Sequence, residues 1–128
     1  MKLIQHLSDI SDDYEGYIVD VWGVLHNGET PYSGAIDAIG QLKRTGKKCV
    51  LLSNSPMRAS HVSNQLEAHY VLTKDLYAGV VTSGEATHEY LKLQPKGLKL
   101  YYIGRDYFFQ AIQDLVESGH IDIVEDVS

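Results

Sequence analysis

An acidic side chain stands at the end of the first strongly apolar run of the sequence. Asp20 follows Ile18 and Val19, and it precedes Val21 and Trp22. A carboxylate beside an apolar run loses solvation unless a cation or hydrogen bonds compensate for it. The residue type therefore leaves two interpretations open. Asp20 is either a nucleophile or metal ligand, or an aspartate that caps a turn at the end of a strand.

Small polar side chains follow the second apolar run. Ser53, Asn54 and Ser55 come directly after two leucines and precede a helical pattern. Hydroxyl, amide and backbone N–H groups at the start of a helix can bind an anion such as phosphate. Serine, asparagine and proline are also the ordinary residues of turns, so this segment alone does not decide between a phosphate site and a plain turn.

Five short apolar runs that alternate with helical patterns indicate how these residues are positioned. We expect strands at 17–21, 49–52, 76–81, 98–103 and 121–124. Thr82 to Glu85 form a capping-box pattern that predicts a helix start. The strongest amphipathic pattern predicts one helix that begins at the N-cap Asp106, runs through Val116 and is followed by Gly119 as its C′ residue.

The alternation of strands and helices with short connections predicts right-handed βαβ units and a parallel sheet. The runs are apolar throughout, which is typical of strands covered on both faces. Ligands of such sheets bind beyond the carboxyl ends of the strands. We therefore expect Asp20, Ser53 and Asn54 at one rim of the sheet. Residues 94–97 are the best candidate for a hinge or domain junction.

Composition narrows the classes of partner and compartment. The 128 residues carry a net charge of −6 without any basic block, so nucleic acid and anionic membranes are poor partners. The single cysteine, Cys49, excludes a disulfide framework and favours a reducing compartment. No apolar stretch has the length of a membrane span, and the N-terminus does not resemble a signal peptide. We expect a soluble cytoplasmic domain.

The histidine spacing does not favour a zinc site, and His88 is expected at the surface.

Residues 17–28, Tyr-Ile-Val-Asp-Val-Trp-Gly-Val-Leu-His-Asn-Gly, resemble the first motif of the haloacid dehalogenase (HAD) superfamily. Leu-Leu-Ser-Asn-Ser-Pro at 51–56 resembles its second motif. The segments 81–91 and 100–105 are similar to subclass IIA, which contains sugar-phosphate, nucleotide and 4-nitrophenyl phosphatases with a large cap. The resemblance implies an α/β fold in two parts. Residues 1–93 would form half of the HAD core, a parallel Rossmann-like sheet, and residues 94–128 would begin an α/β cap domain.

The resemblance also implies a mechanism and a set of site residues. Asp20 would be the nucleophile that forms an aspartyl-phosphate, and Ser53 and Asn54 would bind the phosphoryl group. Mg²⁺ would be held by Asp20 and by the backbone carbonyl of Trp22. The implied function is an Mg²⁺-dependent phosphomonoester hydrolase that acts on a small phosphorylated metabolite. A homo-oligomer is left open.

Two departures from the family pattern matter. Trp22 stands where HAD phosphatases usually carry a second aspartate as general acid, and His26 is a candidate substitute for that acid. The third and fourth motifs have no counterpart in the 128 residues. We therefore expect a truncated or partial chain that is inactive alone. The alternatives are a catalytically inactive HAD-like module that binds phosphate or a partner, and a 2-haloacid dehalogenase, because halide leaves without protonation.

Overall fold

The computed structural model describes residues 3–125 of the chain. The strands are β1 (Gly16–Asp20), β2 (Lys48–Ser53), β3 (Gly79–Thr82), β4 (Leu98–Leu100) and β5 (Ile121–Ile123). The helices are α1 (Ala35–Arg44), α2 (Ala59–Tyr70), α3 (Ser83–Lys92), α4 (Asp106–Phe109) and α5 (Gln113–Glu117). This order confirms the predicted α/β class with parallel strands.

The strands form two separate sheets. The first has the order β1-β2-β3 and is parallel, and the second pairs β4 with β5, also in parallel. In the first sheet Gly16 lies opposite Lys48, and Asp20 lies opposite Leu52. The register is therefore continuous along the whole of β1.

The described chain divides into two compact units. The first contains the residues up to Ser53 together with Ser60–Val81, and the second contains Asn54–Ala59 together with the chain from Thr82 onwards. The boundary between residues 93 and 94 that the resemblance implies stays a prediction.

The two faces of the first sheet differ in burial. Leu51 is fully buried and Cys49 is 2% exposed, whereas Ile18 is 77% exposed, Leu52 47% and Val81 45%. The expectation that both faces are covered is therefore wrong for the described residues. A short apolar run contains no alternation that would reveal an uncovered face, so the sequence could not show this difference.

Helix α1 packs against β2, and a left-handed glycine follows its end. Ile39 and Leu42 are its buried residues. Its end is fixed by hydrogen bonds from Gly46 N to Lys43 O (3.0 Å) and from Lys47 N to Leu42 O (2.9 Å). Gly46 has φ +79°, a left-handed conformation that glycine adopts without steric cost.

The second unit has its own apolar core. Its buried members are Leu91, Ile112, Leu115 and Ile121. The predicted long helix of this region is wrong, because two short helices, α4 and α5, stand in its place. Ile112 leaves the helical region (φ −125°) while its side chain stays buried. The spacing of buried apolar residues therefore continues across an interruption of the helix. Arg105, not Asp106, is the N-cap of α4.

No helix among the described residues is long and apolar enough to span a bilayer.

Two adjacent leucines of β2 provide a test of which sheet face contains the core. Leu51→Ala should lower the free energy of unfolding by about 2–5 kcal/mol, because it leaves a cavity at a fully buried position. Leu52→Ala, one residue away on the exposed face, should cost clearly less. Urea unfolding of both variants measures the difference. Equal losses would contradict the assignment of the faces.

Candidate functional site

The carboxyl ends of β1 and β2 place Asp20 beside the Ser53 position. Asp20 lies opposite Leu52, and Ser53 is the next residue along β2. Asp20 is exposed. Its Oδ1 accepts a hydrogen bond from Val21 N (2.9 Å), so the local turn orients the carboxylate. A hydrated carboxylate at a strand end can act as a nucleophile or bind a cation.

The loop that follows Asp20 is anchored by two buried side chains. Val21 is 3% exposed and Leu25 is 2% exposed. Between them the chain closes on itself through the hydrogen bond from Gly23 N to His26 O (2.8 Å). This arrangement fixes the backbone on either side of Trp22, including the carbonyl that the resemblance assigns to the metal.

Asn27 and Gly28 form a turn at the tip of this loop. Asn27 Oδ1 accepts hydrogen bonds from Glu29 N (2.9 Å) and Thr30 N (2.8 Å). Gly28 has φ +97°, and a Cβ built on it would lie 2.4 Å from the indole ring of Trp22. The ring therefore lies directly over Gly28. Trp22 is 61% exposed and has no group that could exchange a proton near neutral pH.

His26 is held in an aromatic stack inside the same loop. Its ring lies parallel to that of Tyr70, with centroids 4.1 Å apart. Its Nδ1 accepts a hydrogen bond from Gly28 N (3.0 Å), and the hydroxyl of Tyr70 donates to Gly28 O (2.9 Å). Burial lowers the pKa of His26. A neutral imidazole whose Nδ1 is already occupied is a poor general acid, so this geometry argues against His26 as the substitute.

The second polar segment continues directly from β2. Asn54 is exposed, and the Ser55 hydroxyl accepts a hydrogen bond from Met57 N (3.2 Å). Met57 is 5% exposed and anchors the segment. The expected position of Asn54 with respect to Asp20 stays a prediction.

The donor atoms at the end of β1 suit Mg²⁺. The Asp20 carboxylate and the Trp22 carbonyl are hard oxygen ligands, which Mg²⁺ prefers. Mg²⁺ usually takes one or two protein carboxylates and completes its octahedron with water and substrate phosphate. The exposure of Asp20 leaves room for such ligands. The residues present therefore fit this ion.

A different cluster, on α3, is the one set of three side chains among the described residues that could hold a metal ion. It consists of Glu85, His88 and Glu89. Glu85 already binds Arg58, however, and His88 Nε2 lies 2.9 Å from an Asp114 carboxylate oxygen. His88 is only 3% exposed, so its expected surface position is wrong. It is buried because α3 carries it towards the core that contains Leu91.

Sequence comparison identifies the family. The family model described as haloacid dehalogenase-like hydrolase matches residues 17–117, and the chain belongs to this family. A 5′-nucleotidase, YutF of Bacillus subtilis (strain 168), is 26% identical over 102 residues, which cover 79% of this chain and 39% of that protein.

Solved structures agree with this assignment. A haloacid dehalogenase-like hydrolase from Brucella suis 1330 is 30% identical with a TM-score of 0.80, and the match covers 98% of this chain and 45% of that one. A p-nitrophenyl phosphatase from Archaeoglobus fulgidus shares the fold (TM-score 0.63, 22% identity, 86% and 40% coverage). The relatives are type IIA p-nitrophenyl and sugar phosphatases, and this chain matches about 40% of their length, at the N-terminal part.

The contact between Gly28 and the indole of Trp22 predicts a fluorescence change. Gly28→Ala should displace the ring and shift or quench its emission, because the new methyl group would overlap it. Trp22 is the single tryptophan of the sequence, so the signal is unambiguous. Gly46→Ala is a matched control: Gly46 has a similar left-handed φ of +79°, but nothing lies within 4 Å of its built Cβ. An unchanged Gly28→Ala spectrum would contradict the described packing.

The lowered pKa of His26 predicts a loss of stability in acid. Since the folded state resists protonation, its contribution to stability is complete above the ordinary histidine value of 6.5 and falls as the pH drops below it. His26→Phe should therefore flatten the dependence of the unfolding free energy on pH between about 7 and 5. A His26→Phe variant with an unaltered pH dependence would contradict the described burial of the His26 ring. Urea unfolding at several pH values measures it.

Proposed function

We propose that this chain is the nucleophile-bearing part of an Mg²⁺-dependent phosphomonoester hydrolase that works through an aspartyl-phosphate. The observation that carries the proposal is the exposed Asp20 carboxylate at the carboxyl end of β1, beside the Ser53 position of β2. The chain spans 39–45% of the first relatives it matches, so activity, substrate and partners are proposals for the whole protein.

In this mechanism Asp20 attacks the phosphorus of the substrate. Val21 N–H binds Oδ1 and orients the carboxylate, which leaves Oδ2 for the attack. A carboxylate–phosphorus bond forms while the ester P–O bond breaks, and the alcohol leaves with a proton taken from solvent. Water then hydrolyses the acyl phosphate, which regenerates Asp20 and releases inorganic phosphate.

The other groups of the site would position the phosphoryl group and neutralise its negative charge. The Asp20 carboxylate and the Trp22 carbonyl would hold Mg²⁺, which supplies charge neutralisation between two anions. The Ser53 hydroxyl and the Asn54 amide would donate hydrogen bonds to the phosphoryl oxygens. A relative of the same fold, a glycerol phosphate phosphatase from Mycobacterium tuberculosis, was solved in complex with magnesium. Its match covers 90% of this chain at 21% identity with a TM-score of 0.60.

The tryptophan after the nucleophile limits the choice of substrate. General acid catalysis is typically worth about 10²–10⁴-fold in rate. Trp22 cannot supply it, and the stacked His26 is a poor replacement. We therefore expect small phosphorylated metabolites whose leaving group departs readily without protonation by this loop.

A non-catalytic module is the second candidate. The observation that favours it is Trp22, an indole that cannot act as a general acid, at the position where HAD phosphatases usually carry a second aspartate. Such a module would bind phosphate or a partner through the same rim without turning a substrate over.

Binding of a phosphate analogue tests the proposal. Beryllofluoride with Mg²⁺ should raise the melting temperature of the chain, because it mimics a phosphoryl group on an ionised aspartate. Asp20→Asn should abolish the rise, whereas Asp37→Asn, on the exposed face of α1, should retain it. A rise that survives Asp20→Asn would place the anion elsewhere and contradict the proposed nucleophile.

A turnover assay tests whether the 128-residue chain is active by itself. The purified 128-residue chain with Mg²⁺ should not hydrolyse 4-nitrophenyl phosphate above the buffer rate, because the groups of the third and fourth motifs are missing. Release of 4-nitrophenolate is followed by absorbance. Turnover that depends on Asp20 would show that the chain suffices for catalysis.

A further inference from the structure

The segment that follows β2 is fastened to the beginning of α3. We call residues 54–58 the β2–α2 loop. Gly84 N donates a hydrogen bond to Ser55 O (3.1 Å), and Thr82 Oγ1 donates to Met57 O (2.7 Å). Thr82 is 1% exposed, so water does not compete for this bond. A Cβ on Gly84 would lie 2.1 Å from Pro56 O, and this close approach therefore requires glycine.

Glu85 fastens the far end of the same loop. Its carboxylate accepts hydrogen bonds from Ala59 N (2.9 Å), from Arg58 Nε (3.0 Å) and from Arg58 Nη2 (2.9 Å). The two-bond fork to a guanidinium is a strong and geometrically specific contact. Ala59 is the first residue of α2, and Glu85 itself lies in the first turn of α3. One negative charge thus complements the N-termini of both helices.

This arrangement gives Arg58 a partner other than phosphate. Arg58 is the only cationic residue of the β2–α2 loop. Its guanidinium instead contacts Glu85 and lies 3.8 Å from an Asp114 carboxylate oxygen. The Arg58 guanidinium also lowers the pKa of the Glu85 carboxyl group, which keeps that group ionised.

We propose that Glu85 is a positioning residue for phosphate binding: it holds the β2–α2 loop, through Arg58 and the Ala59 amide, in the conformation that presents Asn54 to a phosphoryl group. This inference rests on the proposed function. Glu85 touches neither substrate nor metal in it. Its role is to remove the freedom of a loop that would otherwise have to be ordered when the anion binds.

The direction in which anion binding changes when the Glu85 charge is removed distinguishes a positioning role from a direct electrostatic effect. Glu85→Gln removes one negative charge from the chain, so Coulomb's law alone predicts that anion binding becomes tighter or stays the same. The positioning role predicts the opposite, because a neutral amide cannot make the charge-assisted fork to Arg58. Glu89→Gln is the matched control. It makes the same charge change one turn further along α3, where Glu89 is exposed.

The probe is beryllofluoride with Mg²⁺, and its dissociation constant is measured on the full 128-residue chain by ¹⁹F NMR. We expect Glu85→Gln to weaken binding on the order of tenfold, while Glu89→Gln leaves it unchanged or slightly tighter. Hydrogen exchange at the Ala59 amide should accelerate in Glu85→Gln alone. Circular dichroism and thermal melting confirm that both variants fold, and Glu85→Asp provides a second variant that retains the charge.

The outcomes test the positioning role of Glu85 and the proposed function separately. Weaker binding in Glu85→Gln together with faster Ala59 exchange supports the inference. Faster exchange with unchanged or tighter binding overturns it, because the loop would then be held without consequence for the anion. A wild-type chain that does not bind beryllofluoride overturns the proposed function itself, and the positioning role with it.

Discussion

The hydrogen-bonded register between β1 and β2 is the constraint on which the candidate site depends. It places Asp20 opposite Leu52, so that Ser53 follows at the same end of the neighbouring strand. Side chains alternate between the faces of a strand, so a slip of β2 by one residue would turn its side chains over and change the position of Ser53 relative to Asp20. The buried Leu51 and Cys49 oppose such a slip, because it would expose both of them. Core packing thereby fixes the position of a solvent-exposed carboxylate.

Close backbone approaches hold the polar segments that follow these two strands. In the first segment, Gly28 lies under the indole of Trp22. In the second, Gly84 touches the Pro56 carbonyl, and Glu85 ties Arg58 to the first amide of α2. Both segments contain groups that the proposed function assigns to metal or phosphate. Rigid loops suit that task, since an ordered loop pays less entropy when a ligand binds.

Local patterns indicated much of the fold. The apolar runs located all five strands, although β3 and β4 are displaced or shorter, because apolar content does not report where a ladder of hydrogen bonds ends. The Thr82 cap of α3 and the left-handed Gly119 agree with their residue types. The region from Asp106 to Glu117 differs, since Ile112 keeps its place in the core while its backbone breaks the helix. Periodicity reports which side chains are buried, and it does not report backbone continuity.

The sequence by itself determined the family, the alternation of strands and helices, and the candidacy of Asp20, Ser53, Asn54 and the Trp22 carbonyl. These depend on residue types at short spacing, which a linear pattern contains. Only the tertiary structure decided that one face of the first sheet is exposed among the described residues, that His26 stacks on Tyr70, that His88 is buried, and that Glu85 binds Arg58. Each of these involves groups that are distant in the chain or the packing of a whole face. Their energies depend on distance and burial in space, which no local pattern encodes.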